Sequence, residues 1–215
     1  MTKIWFKFDD IKIMKNLEFR LGLIDDWEHV KSLYLTSFPS YERQPVSLIK
    51  DRIQANVCKL YILSGAEECV GFAILWQFDE NEVIFIEYLA VNPKFRGNGY
   101  GKEIMRRIIS LTKSLKFKLV LEIENPTMGK NKNQREKRYK FYQELGLTEV
   151  NGIHYQLPPL SSKKSTSMYL MVYPANYMFE KDHLCRIVQD LYESVYNRKN
   201  NDVFLKQILS SIHNE

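Results

Sequence analysis

The chain has 215 residues, 45% hydrophobic and 27% charged, with 31 basic against 26 acidic side chains and a formal charge of +5. That length suits a domain of about 150 residues with an appendage, and 12 Phe with 13 Tyr exclude disorder throughout. No apolar run is long enough to span a bilayer, and the first fifteen residues hold no secretory apolar stretch. Cys58, Cys69 and Cys185 form neither a CxxC pair nor a paired framework, so free thiols and a cytoplasmic location are expected.

Residues 1–16 read as an N-terminal extension, of which 1–13 carry little functional content, because Met14 stands just before the first strand-like run, Leu17 to Leu21. Asp25 or Asp26 then caps a helix whose apolar positions Trp27, Val30, Leu33 and Tyr34 recur at helical spacing, and Pro39 stops it. A shorter helix spans Ser47 to Ile53. Three strands follow, Lys59 to Leu63, Val70 to Phe78 and Val83 to Val91, with polar turns between them. The third is apolar on both faces, the pattern of a central strand covered on both sides. Strict alternation puts Phe85, Glu87, Leu89 and Val91 on one face and Ile84, Ile86, Tyr88 and Ala90 on the other.

A glycine-rich stretch, Gly97 to Gly101, feeds a helix ending near Lys116, with Ile104, Ile108 and Leu111 as its apolar stripe. Phe117 to Ile123 is a further strand. The loop from Asn125 to Asn133 shows no periodicity. Arg135 to Leu145 is a helix ended by Gly146. Between Lys130 and Lys140 lie six basic side chains and one acidic one, Glu136, a patch that needs an anionic partner or open water. Gly152 to Leu157 and Met168 to Val172 are the last strands, with a polar loop around Ser161 to Ser167. Two amphipathic helices close the chain, one carrying Leu184, Ile187, Val188, Leu191 and Val195, the other Phe204, Leu205, Ile208, Leu209 and Ile212. Their stripes have two destinations, the body of the same chain or a second subunit in a homodimer. Intrachain packing, on a body complete by Val172, is the expectation.

The sharpest chemical feature is the run Val91-Asn92-Pro93-Lys94-Phe95-Arg96-Gly97-Asn98-Gly99-Tyr100-Gly101-Lys102. A buried strand ends, glycines turn the chain and a helix begins. Backbone N–H groups at such a turn approach an anion without a Cβ in the way, and the helix start adds unpaired donors and a positive dipole end. Neither the Walker A pattern nor the dinucleotide glycine spacing is present. A tight packing turn is the structural alternative.

Arg96-x-x-Gly99-x-Gly101, after a hydrophobic strand and before a helix, resembles the acyl-CoA signature of the GNAT superfamily, the Gcn5-related N-acetyltransferases. The later Phe141-Tyr142-Gln143-Glu144-Leu145-Gly146-Leu147 is similar to that family's FYxxxGF segment, and the strand between the two motifs fits as well. The resemblance covers residues 17–173 and leaves 174–215 as a helical C-terminal extension. It implies an α/β fold with a mixed, mostly antiparallel sheet, splayed at the cofactor site and flanked by helices. It also implies acetyl-CoA as cosubstrate. The pyrophosphate would rest on Arg96, Gly97, Asn98, Gly99, Tyr100, Gly101 and Lys102, and the pantetheine arm would pair with the backbone of Leu89, Ala90 and Val91. Many members carry Asn where this chain has Arg135 and Ala where it has Arg138; Arg135 is then a candidate for a CoA phosphate.

The resemblance makes Tyr142 the acid for the leaving thiolate. Glu87 lies in the most hydrophobic strand, where desolvation raises a carboxylate's pKa towards neutrality and fits it as general base. A salt-bridged structural role is the alternative, and Glu122 and Glu124 on the next strand are rivals for the base. Direct transfer in a ternary complex is expected, with a strand amide stabilising the oxyanion. The acceptor would be a small-molecule or peptide amine, with Tyr34, Phe38, Tyr41 and Tyr155 as candidate cleft residues. No metal is expected, since His29, His154, His183 and His213 share no ligand spacing. A non-catalytic acyl-CoA-binding module is the alternative function. Nucleic-acid and membrane partners are not expected.

Overall fold

A computed structural model describes residues 17–65, 68–129, 131–160 and 165–214. The N-terminal extension, Lys130 of the basic patch and the centre of the polar loop after Leu160 lie outside the described residues. In chain order the elements are β1 (Glu18–Leu21), α1 (Ile24–Ser37), α2 (Val46–Gln54), β2 (Lys59–Gly65), β3 (Glu68–Phe78), β4 (Val83–Val91) and α3 (Tyr100–Leu115). Then come β5 (Lys118–Glu124), α4 (Lys132–Glu144), β6 (Thr148–Glu149), β7 (Gln156–Leu157), β8 (Thr166–Tyr173), α5 (Lys181–Asp190) and α6 (Val203–Asn214). A π-helical turn, Leu191–Val195, prolongs α5.

The strands form one sheet in the order β1-β2-β3-β4-β5-β8-β6, with β7 beside β8. Every pairing is antiparallel except β4 with β5. This is the mixed, mostly antiparallel α/β sheet that the resemblance implied. The parallel pair needs a crossover, and α3 supplies it. α1, α2, α5 and α6 cover one face, where Trp27, Tyr34, Phe72, Phe85, Tyr192 and Ile208 share a core. α3 and α4 cover the other, over Ala73, Ile84, Ile86, Leu121 and Met171.

Local chemistry explains the element ends. α1 begins after Leu23, which takes the N-cap place two residues ahead of Asp25 and three ahead of Asp26. Asp26 caps from inside the first turn instead, its Oδ2 accepting the Leu23 amide at 2.8 Å while Arg20 forks onto both carboxylate oxygens. α4 runs to Glu144 and is stopped just beyond its cap by Gly146, whose φ of 84° favours a residue without a Cβ. Gly71 lets β3 approach β4: a Cβ there would lie 2.6 Å from the Ala90 carbonyl oxygen.

The C-terminal helices pack back onto the same chain, as expected, but the body is not complete by Val172. Leu184, Ile187, Val188, Leu191, Tyr192, Leu205 and Ile208 join Trp27 and Tyr34 in a single core. The π-helical turn also leaves the Val195 carbonyl free to accept Gln44 Nε2 at 3.0 Å and Arg52 Nη2 at 2.9 Å. The strand expected over Gly152 to Leu157 shrinks to Gln156–Leu157.

Candidate active site

The site begins where β4 and β5 part. They pair only from Val83 with Lys118 to Ile86 with Leu121. Beyond that point β4 stays with β3 as far as Val91, and β5 stays with β8 as far as Glu124. The sheet therefore opens between Glu87–Val91 and Glu122–Glu124. A cleft of about 550 Å³ occupies the opening, lined by both strand ends, by Phe38, Tyr41 and Glu42 after α1, by Arg96, and by Arg138 and Tyr142 of α4.

A β-bulge sets the faces. Ile74 pairs with Tyr88 and the next residue, Leu75, with Ile86, so Glu87 is the extra residue. The strict alternation expected of this strand therefore fails at Glu87. Phe85, Tyr88 and Ala90 face the α1–α2 side, while Ile84, Ile86, Leu89 and Val91 face α3 and α4. Leu89 is thus not on Phe85's face. Glu87 turns to the α1–α2 side, where Trp76 Nε1 donates to its Oε2 at 2.7 Å.

The cleft consequently has two sides. On the α3–α4 side lie Leu89, Val91, Arg96 and Tyr142. Arg96 Nε donates to the Val91 carbonyl at 3.0 Å, which closes the strand end onto the glycine turn. Gly97 and Gly99 hold φ of 85° and 84°, and a Cβ on either would meet nothing within 4 Å. Their conformation needs glycine while the space above them is open, as a backbone cradle for a phosphate requires. Gly99 is also the N-cap of α3 and brings no side chain to its first-turn amides. Tyr100 packs edge-on against Phe95 in the core, and Gly101 is in ordinary contact with Phe141 and Val91. The Lys102 ammonium is paired with Glu144 at 2.7 Å. Tyr142 is half-buried, and burial raises its phenol pKa. Among the described residues its hydroxyl has no hydrogen-bond partner, so it is available to a ligand in the cleft.

On the α1–α2 side the carboxylates gather. The Glu87 side chain is 2% exposed, and its pKa is pushed up to about 7, first by burial and against the Trp76 hydrogen bond. Its Oε1 is buried without a hydrogen-bond partner, 3.8 Å from Arg52 Nη1, which is likewise unpartnered. Glu122 is also raised to about 7 by burial, but both its oxygens are taken, one by the Tyr155 hydroxyl and one by Tyr196 at 2.6 Å. Glu124 forms ion pairs with Arg135 at 2.5 Å and Arg138 at 3.3 Å. Glu42 is pushed up to about 7 by burial and by the neighbouring Glu124 charge.

Several expected residues land elsewhere. Arg135 does not line the cleft: Glu124 and the Met128 carbonyl hold its guanidinium against the loop, and a Cβ on Gly129 would collide with it. Tyr34 is fully buried, its hydroxyl donating to the Gln44 carbonyl at 2.8 Å, and Tyr155 is buried against Glu122; only Phe38 and Tyr41 of the four aromatic candidates line the cleft. Glu42, Arg52 and Tyr196 were not anticipated. Arg52 carried a faint signal, since it sits one position before Ile53 on the apolar face of α2. Among the described residues no cluster of three or more His, Cys, Asp or Glu is arranged for a metal ion, and no helix is long and apolar enough to cross a membrane.

A parted sheet beside an open glycine turn, with Tyr142 on one side and buried carboxylates on the other, thus frames the cleft. The acetyltransferase (GNAT) family model matches residues 27–147, and the chain belongs to that family. It is similar over 85% of its length to a GNAT-family putative acetyltransferase from Bacteroides thetaiotaomicron, at 30% identity, covering 99% of that chain with a TM-score of 0.70. The fold is shared with the ribosomal-protein-S18-alanine N-acetyltransferase of Escherichia coli, at 16% identity, 77% and 97% coverage of the two chains and a TM-score of 0.58. It is also shared with an IAA acetyltransferase from Bacillus cereus ATCC 14579, at 17% identity, 73% and 98% coverage and a TM-score of 0.52. No curated protein sequence matches the chain significantly.

Proposed function

We propose that this protein is an acetyl-CoA-dependent N-acetyltransferase that acts on a primary amine in a ternary complex. The observation that carries this reading is the two-sided cleft, with an open glycine turn on one side of the parted strands and a buried carboxylate oxygen of Glu87 without a hydrogen-bond partner on the other. Acetyl-CoA, when bound, supplies a thioester whose carbonyl is open to attack. The amides from Gly97 to Lys102 hold its pyrophosphate, and the backbone of Leu89 to Val91, freed from β5, pairs with its pantetheine arm.

Glu87 takes the proton that the amine loses as its new C–N bond forms, directly or through one water. A pKa near 7 suits that exchange better than an ordinary carboxylate does. The rivals fit less well. Glu122 already accepts two phenol hydrogen bonds, and Glu124 is neutralised by two arginines. Tyr142 protonates the sulfur as the C–S bond breaks, leaving free CoA and the N-acetyl product.

The test is thiol release from acetyl-CoA against a panel of primary amines, with mass spectrometry of the products. Amine-dependent release with gain of one acetyl group is expected. Tight acetyl-CoA binding with no turnover on any amine would favour the non-catalytic acyl-CoA-binding module.

A further inference from the structure

We propose that the acceptor side of the cleft selects amines carrying a second cationic nitrogen, held by Glu42, so that the substrate is a linear diamine or longer polyamine. The inference rests on the acetyltransferase reading and names its substrate class. Its first support is the charge of the wall. Glu42, Glu87, Glu122 and Glu124 line the cleft, against Arg96 and Arg138. Arg138 is spent on Glu124, and Arg96 points its Nε at the Val91 carbonyl on the α3–α4 side. Glu124 is thereby neutralised, and Glu122 is satisfied by two tyrosines.

Two carboxylates are left with unmet demand. Glu87 Oε1 and Glu42 Oε1 are each buried without a hydrogen-bond partner; Glu87 Oε1 has only the Arg52 guanidinium at 3.8 Å, and among the described residues Glu42 has no ion pair at all. A buried carboxylate oxygen without a donor is costly, and a bound ammonium meets that need directly. The two lie at different places along the wall. The Tyr88 hydroxyl donates to the Glu42 carbonyl at 3.1 Å, so the Glu42 backbone stands a tyrosine's length from the strand bearing Glu87. Phe38 and Tyr41, from the same loop as Glu42, offer aromatic surface to the methylenes between two nitrogens. One amine at Glu87 and a second at Glu42 would satisfy both groups with a single extended molecule. A neutral tail leaves Glu42 unmet, and a carboxylate tail adds repulsion.

The experiment is calorimetric binding of butane-1,4-diamine, butylamine and 4-aminobutyrate to the CoA-saturated protein; the three differ essentially in the charge at the far end. The diamine is expected to bind about tenfold or more tighter than butylamine, with 4-aminobutyrate weakest. Glu42→Gln should reduce the diamine's advantage to below about threefold while CoA affinity stays unchanged. Equal affinity for diamine and monoamine in the wild-type protein overturns the proposal without recourse to any variant, and so does a diamine preference that survives Glu42→Gln in a folded protein. Because binding is read without turnover, a chain that binds diamines selectively yet transfers no acetyl group would refute the transferase reading and leave the second-cation site standing.

Discussion

Replacing Glu87 by Gln removes a carboxylate of the cleft whose Oε1 is buried without a hydrogen-bond partner, and the structure sets the size of the effect. Burial raises the Glu87 pKa from its ordinary 4.5 to about 7, which corresponds to about 3 kcal/mol. With the side chain only 2% exposed, solvent screens little of this. Below pH 4.5 the carboxyl is neutral in both folded and unfolded chains, and its favourable contribution to stability is fully present. As the pH rises from 4.5 through 7 the unfolded chain loses its proton first, so that contribution is lost, and above 7 nothing further changes. Gln does not titrate. The unfolding free energy of wild type minus that of Glu87→Gln should therefore fall by about 3 kcal/mol between pH 4.5 and 8, whatever constant offset the amide adds. Glu42 and Glu122 titrate in both proteins and largely cancel. Urea denaturation of both proteins across that range measures the difference. In parallel, wild-type kcat/KM should rise through about pH 7, and the variant should lose about 10²-fold or more. A difference in stability that stays flat with pH would mean that Glu87 ionises as an ordinary carboxylate, and the argument for it as a tuned base would fail.

Tyr142→Phe should lower kcat by about 10²-fold with unchanged affinity for acetyl-CoA, since among the described residues the phenol has no hydrogen-bond partner to lose; unaltered turnover would place the acid elsewhere. Gly99→Ala should fold and cost only about 1 kcal/mol, because the Cβ meets nothing within 4 Å and only the φ of 84° is strained. Gly99→Glu should abolish acetyl-CoA binding by calorimetry, and unchanged affinity in a folded variant would remove the phosphate cradle. Gly71→Ala should destabilise by about 1–3 kcal/mol, seen as a lowered Tm, because its Cβ would fall 2.6 Å from the Ala90 carbonyl oxygen and 2.8 Å from Ile104 Cδ1.

Much of this was legible in the sequence where periodicity is strong. The limits of β4 come out as read, because both of its faces are buried and turns bound it. α3 follows its glycine turn, and the stripe of Ile104 and Ile108 lands in the core as expected. The bulge at Glu87 was not legible, since one extra residue is defined only by its partner strand. It moves Leu89 to the opposite face while leaving composition untouched. The partners of the carboxylates were hidden for the same reason. Tyr196 and Glu122 are 74 positions apart, and Arg52 and Val195 are 143 apart. Nothing local signals that a C-terminal turn packs beside the cleft, or that Glu124 and the Met128 carbonyl hold Arg135 against the loop.

In the proposed reaction the gap between β4 and β5 seats the thioester of acetyl-CoA between Glu87 and Tyr142. A crystal structure with acetyl-CoA bound tests it most directly. The pyrophosphate is expected on the backbone from Gly97 to Lys102, the pantetheine alongside Leu89 to Val91, and the sulfur within hydrogen-bond reach of the Tyr142 hydroxyl. Acetyl-CoA bound with its thioester outside that gap, or with Tyr142 turned away from the sulfur, would contradict it.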